Sequence, residues 1–235
     1  MDISLGKVLV GLPKIIGQKD AVHPMDREWE SAIFKELIEE AVWVGTTKLD
    51  GDGQADLKNH GGPEKAVFAY PSEHYTFWCE EYGITDMKQG GVGENFSMIN
   101  VTEKDIAIGD TFEVGGAIVQ VSQPRQPCWK PARRFKIKNL ALLIEDTGRT
   151  GWYFRVLQEG FVEEGQKFKL IDRPVPEWTI EKCNRVMHIE KEDLEKSANL
   201  AKCEWLATNW KRTLTNRVEK GEHPQLSKRV FGPNE

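Results

Sequence analysis

The sequence predicts a mainly β protein: a barrel or sandwich with a few covering helices, then a small helical region at the C-terminal end. Three observations carry this expectation. Short β-like runs recur at residues 7–12, 42–47, 66–70, 117–122, 152–157 and 166–171, with turns such as Gly109-Asp110 and Gly115-Gly116 among them. Asp172-Arg-Pro-Val-Pro-Glu177 interrupts that pattern with two prolines. Beyond it the chain becomes helical and charged. The expected division is a barrel domain over 1–175 and a separable three-helix domain over 176–235.

Taken in order, residues 17–30 are polar and contain His23-Pro24, which suits a loop. Residues 31–40 can be read as a helix, with Ile33, Phe34, Leu37 and Ile38 on one side; an extended run is the alternative. Residues 49–63 form a glycine-rich, acidic loop that lacks EF-hand spacing. It ends in Asn59-His60-Gly61-Gly62, where two glycines allow close approach to a ligand and His60 could donate to an anion. A lone histidine is more often a hydrogen-bonded turn residue. Ser72 caps a helix to Tyr82 that Gly83 closes. Tyr75, Trp78, Cys79 and Tyr82 share one face of it as core, with His74 off the stripe. A second glycine-rich loop, 90–96, has no phosphate-loop lysine. Residues 139–147 read as a short helix. Beyond the proline break, 190–198, 202–209 and 210–220 read as up to three helices sharing Trp205, Leu206, Trp210 and Leu214. Such an appendage buries too little alone and packs on the main domain.

The most chemically pointed stretch is residues 122–135. It holds Cys128, and prolines at 124, 127 and 131 make it a stiff loop that cannot be helix interior. From Gln123 to Lys138 it carries six basic residues and no acidic one. Nearby cations favour a thiolate and can lower a cysteine pKa from ~8.5 towards ~3.5–7.5. A thiolate is both a nucleophile and a metal ligand. The bland alternative is an inert buried cysteine. The other cysteines, Cys79, Cys183 and Cys203, are far apart in sequence, and no pair has zinc-site spacing. A net charge of −5 argues against a nucleic-acid coat. No apolar run reaches ~20 residues and the N-terminus lacks a signal-peptide layout, so a cytoplasmic location and no membrane partner are expected.

Gly51-Asp52-Gly53-Gln54-Ala55-Asp56, Asn59-His60-Gly61-Gly62, Lys65-Ala66, Gly93-Glu94-Asn95-Phe96 and Pro124-Arg125-Gln126-Pro127-Cys128 resemble, in order, the MOSC domain, most closely the bacterial YiiM-type proteins. The likeness spans nearly the whole chain. It implies a MOSC β-barrel followed by a three-helix domain, a molybdenum cofactor (Mo-molybdopterin), and Cys128 as the protein ligand to the metal. It also implies a detoxifying oxidoreductase acting on small N-hydroxylated substrates, base analogues and amidoximes, with an external electron donor such as a flavoprotein reductase. On that resemblance Asn59 and His60 face the metal with Cys128. Gly61, Gly93, Glu94, Asn95, Arg125, Arg133 and Arg134 are the expected cofactor contacts, since a phosphate calls for cations and loop amides. A persulfide sulfur carrier and a non-catalytic cofactor carrier are the competing readings. A DNA-binding role for the basic C-terminal end, with Lys211, Arg212, Arg217, Lys228 and Arg229, is a further one.

Overall fold

The computed structural model describes residues 2–222 and 226–234. The strands are Ser4–Val10 (β1), Lys14–Ile16 (β2), Trp29–Ser31 (β3), Glu36–Ile38 (β4), Val42–Val44 (β5), Val67–Pro71 (β6), Phe96–Ile99 (β7), Thr111–Val114 (β8), Ala117–Pro124 (β9), Trp152–Gln158 (β10), Gly160–Val162 (β11) and Lys169–Asp172 (β12). The α-helices are Leu57–His60 (α1), Glu73–Tyr82 (α2), Trp129–Phe135 (α3), Leu140–Thr147 (α4), Ile180–Asn184 (α5), Leu194–Ala201 (α6), Thr208–Lys220 (α7) and Leu226–Val230 (α8). Among the described residues no helix is long and apolar enough to cross a membrane.

Eight strands form one curled sheet in the order β12-β8-β9-β10-β6-β7-β1-β4. β6 and β7 run parallel, with α2 as the crossover such a pair needs. The sheet bends back on itself: Leu5 N–H donates to the Gln166 carbonyl at 2.9 Å, and Phe168 N–H to that of Ile3 at 3.0 Å. Side chains alternate as a pleated strand requires. On β10, Trp152, Phe154 and Val156 enter the barrel core, while Tyr153 joins a second cluster with Trp78, Leu140 and Ile144. Phe168 sits centrally in the barrel core, its ring centroid 5.8 Å from Phe112 and 6.0 Å from Phe154.

Several local expectations need correction. Residues 31–40 are not a helix. β4 pairs along β1, with Val8 opposite Ile38 and Leu9 opposite Leu37, so the ladder outweighs the helical spacing. The Cys128 stretch is not loop throughout, because α3 begins at Trp129. Pro131 is its third residue, and a first-turn residue has no intrahelical use for the N–H that proline lacks. The α2 stripe is half right: Trp78 is fully buried, Tyr82 is 41% exposed, and off-stripe His74 is buried against Glu103 at 2.8 Å. Residues 202–207 are not helical, and α7 starts at Thr208. Helices overlooked in sequence are α1, α8 and α5, the last of which runs on as a π-turn over Arg185–Ile189. Buried Arg217 satisfies carbonyls there, donating to Val186 O at 2.7 Å and Met187 O at 2.8 Å.

The C-terminal helices do more than lean on the barrel. Ile180, Cys183, Leu200, Leu206, Trp210 and Leu214 belong to the same buried cluster as Phe112, Val119 and Phe154. Arg155 of β10 donates to the Trp205 carbonyl at 3.0 Å, and Ala207 N–H donates to that of Ser122 at 2.9 Å. The separability expected from the proline break is at odds with this packing. Uncovering large side chains loses roughly 1.5–3 kcal/mol each, against about 5–15 kcal/mol for a whole domain. We expect one cooperative thermal transition for the full chain, and for residues 1–175 alone a weak near-UV circular dichroism signal with strong binding of a hydrophobic dye. A native-like spectrum from that fragment would show that the barrel stands without its helices.

Candidate functional site

Cys128 lies between the end of β9 and the start of α3, in extended backbone. Facing it is His60, the last residue of α1, with Nε2 3.9 Å from Sγ. α1 is held by its own cap: Asp56 accepts from the backbone N–H of Lys58 and of Asn59, each at 3.1 Å. Burial of Cys128 raises its thiol pKa. The hydrogen bond and charge of His60, the charge of Arg125 and the Lys130 backbone amide outweigh burial and bring it down to about 6. At Cys183 and Cys203 burial is the largest effect and pushes both thiols up; at Cys203 the Trp205 and Leu206 amides and the Lys211 charge offset it only in part.

Two cavities meet at this pair. The inner one, about 90 Å³, runs from Cys128 to the second glycine loop and has Arg125 in its wall. The outer one, about 420 Å³, opens towards α7 and α8. His60, Lys65, Lys130 and Tyr153 line both. Arg125 is 5% exposed; its backbone N–H donates to the Gly151 carbonyl at 3.1 Å, while its guanidinium, 5.4 Å from the Phe68 ring centroid, hydrogen-bonds no group of the described residues. A nearly buried cation without a partner is a site for an anion.

The structure brings together only some of the expected contacts. Gly93 and Asn95 line the inner cavity. Gly93 has φ +89°, and a Cβ there would lie 3.0 Å from Ile33 Cγ1, so glycine is required. Asn95 ties the loop to the sheet, accepting from Phe68 N–H at 3.1 Å and donating to Asp52 Oδ2 at 3.0 Å. Asn59 lines the outer cavity with its amide donating to Asp56 Oδ2 at 2.8 Å, so one of its two N–H donors is already in use. Gly61 and Glu94 line neither cavity. Glu94 is buried, accepts from Tyr75 OH at 2.5 Å and Gly90 N–H at 2.6 Å, and burial raises its pKa.

Arg133 and Arg134 are corrected. Arg133 donates to Asn234 Oδ1 and Pro24 O, each at 2.8 Å, and to Pro233 O at 2.9 Å. Arg134 donates to Ile33 O at 2.6 Å and Gly90 O at 2.7 Å. Neither reaches a cavity. Their cationic sequence context looked like a phosphate site, but backbone carbonyls claim the charge. Sequence reasoning missed Lys35, Asp52 and Tyr153. Asp52 is buried, ion-paired to Lys35, and accepts from Gly11 N–H at 2.8 Å. Its visible signal was the Gly-Asp-Gly turn; Lys35 had none within an apparent helix.

A curled sheet that sets a cysteine at a strand end, opposite a glycine–histidine loop and beside an unpaired arginine, defines a ligand-binding barrel centred on a thiolate. Known proteins share the fold. Residues 56–169 match the MOSC domain, and residues 178–221 match the YiiM-like 3-alpha helix domain. The chain is 37% identical to YflK of Bacillus subtilis, over 87% of this chain and 92% of that protein. It is 33% identical to protein YiiM of Escherichia coli, over 86% and 91%. A Gibberella moniliformis protein named a reductase is 36% identical over 68% of this chain, which spans 29% of that longer protein. The crystal structure of YiiM from Geobacillus stearothermophilus superposes with a TM-score of 0.76 at 34% identity, covering 92% of this chain and 99% of that one. The chain belongs to the MOSC family, in its YiiM-like branch with the C-terminal three-helix domain.

The thiol itself offers a check. With its folded pKa at about 6, Cys128 is thiolate above that value and thiol below it. Alkylation by iodoacetamide should therefore accelerate through pH ~6, not ~8.5. In His60→Ala the midpoint should move up, because the hydrogen bond and charge that offset burial are gone. An unchanged midpoint would remove His60 from the account of this cysteine.

Proposed function

We propose that this protein is a molybdenum-cofactor-dependent reductase of N-hydroxylated compounds, base analogues and amidoximes among them, with electrons delivered by a separate redox partner such as a flavoprotein. The observation that supports it most is Cys128: a buried cysteine, biased to thiolate, in the wall between two cavities. Among the described residues no cluster of three His, Cys, Asp or Glu side chains could hold a metal. A metal at Cys128 thus needs a cofactor that brings ligands of its own, as a molybdopterin does. Its phosphate needs a cation, and Arg125 is the buried one left unpaired. The donor set therefore fits the group, with Cys128 as protein ligand and Arg125, Gly93 and Asn95 at its inner wall. When bound, the cofactor supplies the two-electron chemistry that removes the hydroxyl oxygen from nitrogen.

The chain's own residues perform the rest. His60, with Nε2 3.9 Å from the sulfur, favours the deprotonated form of Cys128. Tyr153, its pKa raised to about 12 by burial, stays a neutral donor where the cavities join. Gly93 admits a ligand close to backbone, and the Asn95–Asp52–Lys35 group keeps that loop in place. A cytoplasmic setting belongs to the same reading, since all four cysteines are unpaired.

Cys128→Ser should abolish turnover of an amidoxime with a reduced dye as donor, beyond the roughly 10–100-fold typical of residues behind a metal ligand. Cys79→Ser, Cys183→Ser and Cys203→Ser should stay active. Full turnover by Cys128→Ser at matched molybdenum content would defeat the reading. Arg125→Ala should weaken cofactor retention by on the order of 1.5–3 kcal/mol, read as pterin fluorescence remaining after gel filtration. Undiminished pterin would show that this charge serves something else.

A further inference from the structure

The outer cavity has a chemistry that the thiolate does not explain. Four cations line it, Lys65, Lys130, Lys228 and Arg229, against the single carboxylate of Asp56. That carboxylate is already occupied by α1 amides. Lys65 donates to the Asn59 carbonyl at 2.6 Å, and Arg229 pairs with Glu145 and the Pro127 carbonyl. The ammonium groups of Lys130 and Lys228 have no ion pair or hydrogen bond to the described residues; that of Lys130 only leans over the Trp129 ring. Two acceptors in the same wall, Gln123 Oε1 and Asn209 Oδ1, are buried without a hydrogen-bond partner. Buried acceptors of that kind are rare and cost free energy unless a ligand or water meets them. Trp129 and Tyr153 add aromatic surface. The volume, about 420 Å³, lies within the ~300–1,000 Å³ of small-molecule sites.

We propose that the outer cavity is a substrate subsite for an N-hydroxylated heteroaromatic base carrying a phosphate, that is, a nucleotide in preference to its nucleoside or free base. The exocyclic N–H and N–OH donors of the base satisfy Gln123 and Asn209, the ring lies against the aromatic wall, and the phosphate meets Lys130 and Lys228. The C-terminal helices complete the site, with Asn209 from α7 and Lys228 from α8. Arg229, the next residue, binds the Pro127 carbonyl beside Cys128 and so fixes α8 over the cavity. An amidoxime or a free base leaves the cations unserved. The inference rests on the reductase reading for the fate of the ligand, while the subsite itself can be tested without turnover.

The experiment uses the cofactor-loaded protein. Binding of adenosine monophosphate and of adenosine, which resemble the reduced products, is measured by calorimetry at low and high salt. The monophosphate should bind at least about tenfold tighter, as a charge-assisted contact gives. High salt and Lys228→Ala should each shrink that ratio, and Lys228→Arg should restore it. In parallel, KM is compared for N-hydroxylated adenine, its nucleoside and its 5′-monophosphate, and should be lowest for the monophosphate. Equal affinities, or a ratio indifferent to Lys228→Ala, would overturn the subsite. So would loss of pterin from Lys228→Ala with the ratio intact, because the cations would then serve the cofactor. Failure to reduce any of the three substrates would sink the reductase reading and leave the binding ratio to decide the subsite.

Discussion

The position of Cys128 depends on one buried guanidinium. The four residues from Arg125 to Cys128 lie outside both β9 and α3, so regular structure does not hold them. Arg133, 2% exposed, reaches from α3 to the chain at Pro24 and to the C-terminal turn at Pro233 and Asn234. Asn234 returns a bond to the Trp129 carbonyl at 3.2 Å. Rings of Trp29 and Trp129 flank the guanidinium, centroids 5.9 and 4.9 Å away. Without it, the buried Asn234 amide oxygen would lose its partner at about 1–3 kcal/mol, and the part-buried Pro24 and Pro233 carbonyls would lose their tie to α3. This arginine is therefore bound to architecture and is not free for ligand.

The same accounting separates the other cations around the site. Lys35 is matched by Asp52, Arg134 by two carbonyls, and Arg229 by Glu145 and Pro127. Each fixes a loop. Arg125 has only the Phe68 ring, and Lys130 only that of Trp129. Charge that structure has not neutralised is what remains for an anion. Six basic residues in one stretch thus divide into scaffold and site by their partners, which sequence position does not reveal.

That is where the sequence stopped being legible. The barrel was readable because strand alternation leaves a mark: Trp152, Phe154 and Val156 face one way and Tyr153 the other. Cys128, His60 and Arg125 were readable because thiol, imidazole and guanidinium sit in short glycine- or proline-bearing stretches whose chemistry is local. Arg133 was misread because its acceptors lie about a hundred residues away in both directions. The 31–40 segment was misread because i, i+3, i+4 spacing says nothing of an available β1 edge. Glu94 lay in the right loop and faced the wrong way, towards Tyr75.

The proline break at 172–177 lies between the segments that match the two family models, and it marks a change of secondary structure across which packing continues. Glu64 shows how closely the parts are joined. It stands four residues after His60, and its carboxylate caps α7, accepting from Thr208 N–H at 3.0 Å. A carboxylate at a helix N-terminus contributes about 0.3–1 kcal/mol, and Arg155 lies 3.5 Å from the same group. Its carbonyl also accepts from Ser122 Oγ at 2.6 Å, on the strand that leads to Cys128. One residue therefore ties the histidine loop, the cysteine strand and the helix carrying Asn209. A helical region anchored at that point cannot shift without moving both walls of the outer cavity, so it belongs to the site as much as the barrel does.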